Sequence, residues 1–399
     1  MSDTLSALGE VCEDVREALP EEGVLGVAPS FVAAPRTVTE ASGVLRVAAG
    51  RGLAVVPRGG ETRLDWGGPP ARCDLLLDTG RLDRVIEHAA GDLVVKVEAG
   101  LPMDRLAAVL AEHGQRLALD VPLPGSTVGG TLAAGAGGPS RLLYGSPRDL
   151  LIGVTMVRAD GEVAKAGGKV VKNVAGYDLG KLLTGSFGTL GVIVEAAFRL
   201  HPLPAAQRYV TRGFDGVADA HQAVQRVLHS PHVPSAIEID RADGRTTVGV
   251  LVEGVPQGAA ARATALADLL GPSASVAEAP PPWWGAYPDG NTLVEVTAPP
   301  TALPALAAEV PEGAVLRGSA GLGSWHVGLD AAEPEPVAGL LATLRRTVPG
   351  SVVVRYAPQA VREEVDLWGP VPALPLMRRV KDQFDPAHLL SPGRFVGGI

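Results

Sequence analysis

The chain has few cysteines, and this excludes several kinds of redox site. Cys12 and Cys73 are the only two in 399 residues. Two thiolates cannot complete a four-cysteine zinc or iron–sulfur site. We expect two free thiols, as in a reducing cytoplasm. If the protein carries out redox chemistry, its cofactor is therefore organic, and an iron–sulfur centre would need another polypeptide.

Long apolar runs and an excess of positive charge are also missing. No stretch of about 18 uninterrupted apolar residues occurs, so we expect no transmembrane helix. The start, Met1–Thr4, lacks the basic-then-apolar pattern of a signal peptide. A net charge of −9 disfavours nucleic acid as a partner. The loop Gly-x-x-x-x-Gly-Lys-Ser/Thr of nucleotide triphosphatases is absent too. We expect a cytoplasmic protein.

Glycine, in contrast, is abundant, with 50 residues, and two glycine-rich segments lie about 65 residues apart. The first covers residues 57–67 and the second residues 124–138. Glycine permits positive φ and places no Cβ between the backbone and a ligand. Successive backbone N–H groups in such turns form a concave site for phosphate. The pair of segments predicts a long, phosphate-bearing cofactor.

The apolar pattern predicts an α+β chain. Residues 3–19 have helical periodicity, and Thr37 is a plausible N-cap for a helix that continues to Ala49. From Gln207 the order strand–helix–strand–strand–helix occurs twice, which predicts one antiparallel sheet covered by helices. Trp283 and Trp284, after three prolines, are either a partner-binding patch or core packing.

Three further motifs and a C-terminal one carry a resemblance. They are Leu64-Asp65-Trp66-Gly67 in the first glycine segment, residues 168–179, residues 185–192, and the tail Phe384-Asp385-Pro386 with Ser391-Pro392-Gly393-Arg394. These motifs resemble flavoproteins of the vanillyl-alcohol oxidase / p-cresol methylhydroxylase (PCMH) type. Within that family they are most similar to the FAD-binding subunits of bacterial glycolate oxidases. The resemblance covers residues of about 30–204 and 371–396.

The resemblance implies a fold and a cofactor. Residues 1–204 would form a PCMH-type FAD-binding domain of two subdomains, and residues 205–365 a ferredoxin-like α+β cap domain. Residues 366–399 would return to the FAD-binding domain. FAD would be held noncovalently, because neither glycine segment has a His or Cys where relatives bond the flavin. The implied cofactor-binding residues are Pro57, Arg58, Gly59, Gly60, Glu61, Thr62, Leu64, Pro124, Gly125, Ser126, Thr127, Gly129, Gly130, Ala134, Gly137, Tyr177, Asp178, Gly188, Thr189, Gly191, Val192 and Ile193.

One cofactor-binding position departs from the family. Glu61 stands where relatives usually have a third glycine. A carboxylate beside a diphosphate is repulsive, so we expect the Glu61 side chain to point outward and only its N–H to serve the ligand.

Oxidation of a 2-hydroxy acid needs a base for the hydroxyl proton and a cation for the carboxylate. Relatives carry a His-Ala-Gly-Asp-Gly-Asn-x-His segment that contributes to a metal site. The matching residues 319–326 have Ser319 and Leu322 in place of the first His and the Asp, so only His326 remains and we expect no metal. His326 is either the general base or a space-filling strand histidine. Arg317 and Arg355 either bind a carboxylate or lie at the surface.

Tyr144 is a third catalytic candidate, with a similar choice between substrate contact and packing. The resemblance implies the FAD-binding subunit of a glycolate (2-hydroxy acid) oxidase or dehydrogenase complex, beside a larger FAD subunit and an iron–sulfur subunit. Any membrane association would then arise through those partners. Two alternatives stay open: a stand-alone FAD-dependent oxidoreductase acting on another small hydroxy acid or alcohol, and a structural subunit whose FAD is not catalytic.

Overall fold

The chain folds into two compact units. The computed structural model describes residues 2–168 and 178–399. The first unit comprises Met1–Ala136, Ser146–Pro202 and Val371–Ile399, and the second comprises Gly137–Gly145 and Leu203–Pro370. The second unit therefore begins with a short segment that the sequence assigned to the FAD-binding domain. A hydrogen bond of 2.9 Å from the Tyr144 hydroxyl to Glu253 helps to hold this segment there.

Helices connect and cover the sheets of both units. Among the described residues the α-helices are Ser2–Gly9, Val38–Arg51, Met103–Ala111, Val128–Ala134, Arg141–Tyr144, Pro147–Leu150, Leu179–Leu183, Val217–Leu228, Pro256–Leu270, Leu303–Glu309, Pro334–Thr347, Gln359–Glu364 and Leu374–Phe384.

The first sheet of the first unit is mixed. Its strands are β1 (Val15–Glu17), β2 (Phe31–Ala33), β3 (Val55–Arg58) and β4 (Leu75–Asp78), in the order β1-β2-β4-β3. β2 and β3 both run parallel to β4, which requires a crossover between them. Helix Val38–Arg51 provides that crossover, and the Thr37 hydroxyl accepts a hydrogen bond from the Glu40 amide at its start. β3 therefore delivers the chain directly into the first glycine segment.

The N-terminal helix is shorter than the periodicity of residues 3–19 predicts, and that prediction is wrong for the second half. The helix ends at Gly9, and β1 follows because its backbone pairs antiparallel with β2, from Val15 opposite Ala33 to Glu17 opposite Phe31. Pairing to a neighbouring strand satisfies these backbone groups in place of further helical hydrogen bonds.

The second sheet of the first unit is antiparallel. Its strands are β5 (Val85–Ala89), β6 (Val94–Glu98), β8 (Leu151–Val157), β9 (Val163–Gly167) and β10 (Val192–Arg199), in the order β5-β6-β10-β8-β9. β7 (Gln115–Arg116) and β11 (His201–Pro202) form a separate short pair. Leu106 and Leu132, on two helices, pack with Val95 and Phe198 of the sheet in one buried core. That core positions the second glycine segment.

The second unit is one antiparallel sheet of eight strands. The strands are β12 (Ala206–Phe214), β13 (Ala236–Ala242), β14 (Arg245–Gly254), β15 (Ser275–Ala277), β16 (Thr292–Thr297), β17 (Val315–Ser319), β18 (Ser324–Leu329) and β19 (Ser351–Tyr356). Their order, β15-β12-β14-β13-β17-β18-β16-β19, consists of two ferredoxin-like halves joined at β13 and β17. The predicted double pass of strands and helices is confirmed.

The helices of the second unit cover the face that carries Trp325 and Val327 of β18, and both side chains are fully buried. Side chains alternate along a strand, so Arg317 and His326 lie on the other face. Trp284 packs edge-to-face on Tyr209, with ring centroids 5.2 Å apart, and a Cβ on Gly249 would approach Trp283 and Trp284 within 2.9 Å. The two tryptophans therefore act as packing residues on this sheet.

The C-terminal segment returns to the first unit, as the resemblance implies. The Val55 amide donates to the Leu389 carbonyl at 2.7 Å, and the Ser391 amide donates to the Val55 carbonyl at 2.8 Å. The segment after helix Leu374–Phe384 thereby extends the sheet beside β3. Residues 384–394 are thus fixed next to the strand that enters the first glycine segment.

Candidate functional site: a glycine-lined cofactor cavity

The two glycine segments lie in close contact with each other. A Cβ on Gly60 would lie 1.9 Å from the Gly125 carbonyl oxygen, and one on Gly59 would lie 2.4 Å from the Thr127 hydroxyl. At these distances the side chain of any larger residue would clash with the second segment. Glycine at 59 and 60 is therefore required by the approach of the second segment, in addition to any ligand.

The second segment is held by its own helix and by the sheet. Helix Val128–Ala134 begins after Thr127, whose hydroxyl accepts a hydrogen bond from the Gly130 amide at 3.3 Å. A Cβ on Gly129 would lie 2.8 Å from the Ala99 side chain, just after β6. The first turn of this helix thus rests directly on the second sheet.

An open cavity lies between the glycine segments. Fifteen of the implied cofactor-binding residues line it: Pro57, Arg58, Gly59, Gly60, Glu61, Thr62, Leu64, Thr127, Gly129, Gly130, Ala134, Gly188, Gly191, Val192 and Ile193.

The remaining implied residues lie elsewhere. Pro124, Gly125 and Ser126 border a neighbouring cavity beside helix Met103–Ala111. Thr189 is buried, and its hydroxyl donates to the Ser186 carbonyl. The other three are Gly137, which belongs to the second unit, Asp178, whose side chain caps helix Leu179–Leu183, and Tyr177, which lies outside the described residues.

Five residues outside the implied cofactor-binding set also line the cavity: Arg63, Thr79, Ala133, Phe187 and Arg394. Arg63 lies inside the first glycine segment and Arg394 ends the Ser-Pro-Gly-Arg tail, so proximity to quoted motifs was the available signal. The Arg394 guanidinium donates to the carbonyls of Gly68 at 3.1 Å and Leu64 at 2.8 Å, and so holds the tail against that segment.

Arg58 and Glu61 of the first segment pair with other charged side chains. Glu61 has φ of 58°, its side chain is 57% exposed, and its carboxylate lies 3.2 Å from the Arg58 guanidinium. Arg58 also contacts Glu22 and Asp78, each at 3.0 Å. Hydrogen bonding by Arg16, and then by Leu19 and Arg58, lowers the pKa of Glu22 to about 2 although its partial burial opposes this. Arg58 therefore braces the loop with its side chain.

A buried ion pair attaches the C-terminal helix to the cavity wall. Lys381 Nζ donates to Asp385 at 2.6 Å, to the Thr189 carbonyl at 2.7 Å and to the Leu390 carbonyl at 2.9 Å. Asp385 in turn accepts from the amides of Leu389 and Leu390. Burial lowers the pKa of Lys381 while Asp385 opposes that shift. Thr189 follows cavity-lining Gly188, so this pair fixes the backbone there.

The catalytic candidates lie in the second unit, and two of them are adjacent. Arg317 of β17 is directly opposite His326 of β18, which is directly opposite Glu295 of β16. Arg317 donates to Asp240 at 2.7 Å, and His326 Nε2 lies 3.5 Å from Glu295. Together these four residues form a charged row across the sheet face opposite the helices.

The charged row has further partners. Arg355 Nε donates to the Glu295 carboxylate at 2.6 Å, and the Tyr287 ring packs edge-to-face on His326 at 4.8 Å. Burial would raise the pKa of Glu295, but Arg355 and His326 outweigh it and hold that pKa well below its usual range. Burial likewise opposes the charge of Arg355, and Glu295 raises its pKa. Glu295 was missed by the sequence reasoning because only strand register reveals it.

Tyr144, the third candidate, donates a hydrogen bond from its hydroxyl to Glu253 of β14. Within residues 2–168 and 178–399, no three His, Cys, Asp or Glu side chains are grouped as metal ligands. The helices of that same part of the chain are too short or too polar to cross a bilayer.

Comparison with known proteins matches the segments around the cavity to FAD-binding domains. Residues 29–167 match the family model for the FAD binding domain, and residues 368–395 match the C-terminal domain of FAD linked oxidases. 4-ethylphenol oxidase from Gulosibacter chungangensis superposes with a TM-score of 0.76 over 98% of this chain and 96% of its own, at 18% identity. p-Cresol methylhydroxylase superposes with a TM-score of 0.74 over the same fractions, at 16% identity.

Curated relatives match either half the chain or nearly all of it. The glycolate oxidase subunit GlcD of Bacillus subtilis is 32% identical over 53% of this chain and 45% of its own length. D-2-hydroxyglutarate dehydrogenase of Xanthomonas citri is 37% identical over 44% of this chain and 38% of its own. An uncharacterised FAD-linked oxidoreductase of Mycobacterium tuberculosis is 27% identical over 92% and 91%. The match thus spans less than half the length of the first two relatives.

The residues around the cavity fit FAD, which is an adenine dinucleotide. Two glycine segments offer backbone donors, and the buried Arg63 guanidinium has two nitrogen atoms without a hydrogen-bond partner. Together with the matched domains, this supports an FAD-binding unit with the PCMH-type fold. The cofactor is FAD, and the first unit is the FAD-binding unit.

Proposed function

We propose that this protein oxidises a small 2-hydroxy acid to the 2-oxo acid. The observation that carries the proposal is the charged row of Asp240, Arg317, His326 and Glu295, with Arg355 beside it. It combines an imidazole, the usual general base at neutral pH, with guanidinium groups that suit a carboxylate. Relatives whose names specify glycolate and D-2-hydroxyglutarate support this substrate class.

Each residue of the row has a proposed role. Glu295 accepts a hydrogen bond from His326 Nε2, which leaves Nδ1 to take the substrate hydroxyl proton. Arg317 binds the substrate carboxylate, and Asp240 orients its guanidinium. FAD, when bound, supplies the acceptor for the hydride that leaves the substrate carbon. Loss of one proton and one hydride converts the hydroxyl group into the carbonyl of the 2-oxo acid.

We further propose that the chain works as the FAD-binding subunit of a cytoplasmic glycolate oxidase-like complex. Its similarity to a glycolate oxidase subunit supports this assignment. Cys12 and Cys73, both buried and free, cannot ligate an iron–sulfur cluster, so electron transfer to such a centre needs a partner subunit. A larger FAD subunit would be the second partner.

The visible absorbance spectrum of the purified chain tests both steps. Anaerobic glycolate, D-lactate and D-2-hydroxyglutarate are added in turn to the yellow protein. Bleaching of the flavin band by one of them shows that this chain itself oxidises a 2-hydroxy acid. A band that none of the three bleaches contradicts oxidation by the isolated chain. If the band then bleaches only after a partner flavoprotein is added, substrate oxidation lies on that partner and the proposed roles of the row are wrong.

A further inference from the structure

Arg63 is buried in the wall of the FAD cavity. It lies in the first glycine segment, and only 8% of the residue is exposed. One terminal nitrogen donates to the Ser126 hydroxyl at 3.0 Å, and the guanidinium lies 5.4 Å from the centre of the Trp66 ring. Ser126 also contacts the Thr62 hydroxyl at 3.1 Å. The Arg63 side chain therefore sits where the two glycine segments meet.

Two nitrogen atoms of that guanidinium are buried without any hydrogen-bond partner. These are Nε and the second terminal nitrogen. Among residues 2–168 and 178–399, no carboxylate lies within ion-pair distance of Arg63, whereas Arg58 contacts three. Buried donors are nearly always paired, and a buried charge without a counter-charge is costly. Within the described residues, the buried Arg63 guanidinium therefore has no anionic partner, and an anionic ligand could supply one.

We propose that Arg63 binds the diphosphate of FAD through Nε and its second terminal nitrogen. The guanidinium presents donors in a planar fork that matches two phosphate oxygens. The diphosphate is the most strongly charged part of FAD, and Arg63 lies three residues after Gly60, whose backbone is open to the same cavity. The inference rests on FAD as cofactor and is independent of the proposed substrate.

The test compares two ligands that share the isoalloxazine ring. Apoprotein is prepared for wild type, Arg63→Met and Arg63→Lys, and the Kd values for FAD and for riboflavin are measured by flavin fluorescence. Hydrogen bonds to a charged group contribute about 1.5–3 kcal/mol, so Arg63→Met should weaken FAD binding about 10- to 150-fold. Riboflavin, which lacks the diphosphate, should bind within about 3-fold of wild type. Arg63→Lys keeps the charge and loses the fork, so it should be intermediate.

Thermal unfolding of the apoproteins separates binding from folding. Removal of an unpaired buried charge should leave the apo Tm of Arg63→Met equal to or above that of wild type, while the Tm increase on adding FAD becomes smaller. Arg105→Met, at an exposed helix position outside the cavity, should change neither Kd nor the Tm increase. Equal weakening of FAD and riboflavin, unchanged FAD affinity, or a lower apo Tm for both Arg63 variants would overturn the proposal.

Discussion

The cofactor cavity of the first unit and the charged row of the second are built on opposite principles. Around the cavity, backbone approaches backbone, as where Gly60 meets Gly125, and there is no space for an added side-chain atom at such positions. Along the row, long side chains form ion pairs such as Arg317–Asp240 and Arg355–Glu295. Truncation of either side chain of a pair leaves the other charge without its partner. A dinucleotide site needs close backbone donors, whereas the small-acid site that we propose for the row needs oriented charges. Substitutions that enlarge a residue should therefore damage the cavity most, and substitutions that remove a charged group should damage the row most.

The largest effect should come from adding one methyl group at Gly60. Gly60→Ala places a Cβ 1.9 Å from the Gly125 carbonyl oxygen, so the two glycine segments must separate. We expect the Kd for FAD to rise by at least about 100-fold. The purified variant should then lose its bound FAD, and the ratio of absorbance at 450 nm to that at 280 nm measures that loss. Gly50→Ala is the matched control, because nothing lies within 4 Å of its Cβ position. FAD retained by Gly60→Ala would show that the segments do not meet as described.

The next largest effect should come from removing a buried charge next to the cavity. Lys381→Met leaves Asp385 buried without its cation, and breaking such a pair typically costs about 3–5 kcal/mol in the free energy of unfolding. Urea unfolding measures this cost. Lys181→Met breaks an exposed pair with Asp178 and should cost less than about 1 kcal/mol. Equal costs for the two variants would mean that burial at Lys381 does not matter.

In the second unit, pH should expose the role of Glu295. Its folded-state pKa is depressed, so the stability it contributes is present above its unfolded pKa of about 4.3 and is lost as pH falls through the folded value. Wild type should therefore be more stable than Glu295→Gln at pH 7, by about 1–3 kcal/mol. The difference should shrink below about pH 4. Urea midpoints at pH 7 and pH 3.5 measure this.

Glu312→Gln is the control for that titration, since Glu312 is exposed on a turn. Its variant should match wild type at both pH values. A difference between wild type and Glu295→Gln that grows on acidification would contradict the pairing of Glu295 with Arg355 and His326.

The smallest effect should come from restoring glycine at position 61. Glu61 adopts φ of 58°, which costs a non-glycine residue about 1–2 kcal/mol, partly offset by the flexibility of glycine in the unfolded chain. Glu61→Gly should raise the free energy of unfolding by less than about 1 kcal/mol. Glu112→Gly is the same substitution at φ of −56° and should lower it. Destabilisation by both would indicate that the Arg58 contact outweighs the backbone strain.

The sequence motifs anticipated the cavity better than the charged row. Fifteen implied residues line it because backbone-based sites require glycines at fixed spacing, and that spacing is visible in one dimension. Arg63 was overlooked because a loop arginine carries no pattern of its own. Arg58 lines the cavity, and the structure adds that its guanidinium contacts three carboxylates. Tyr144 was grouped with His326, yet it bonds to Glu253 on another strand.

The amino-acid sequence by itself indicated the FAD-binding fold, the cofactor and the doubled strand–helix pattern of the second unit. These depend on local features: glycine spacing, apolar periodicity and short motifs. Only the tertiary structure decided which charges meet. Glu295, His326 and Arg317 are brought together by strand register, and Lys381 reaches Thr189 across 192 positions of the chain. Whether a charged side chain binds a ligand or braces the fold depends on its neighbours in space, and spacing along the chain does not encode those.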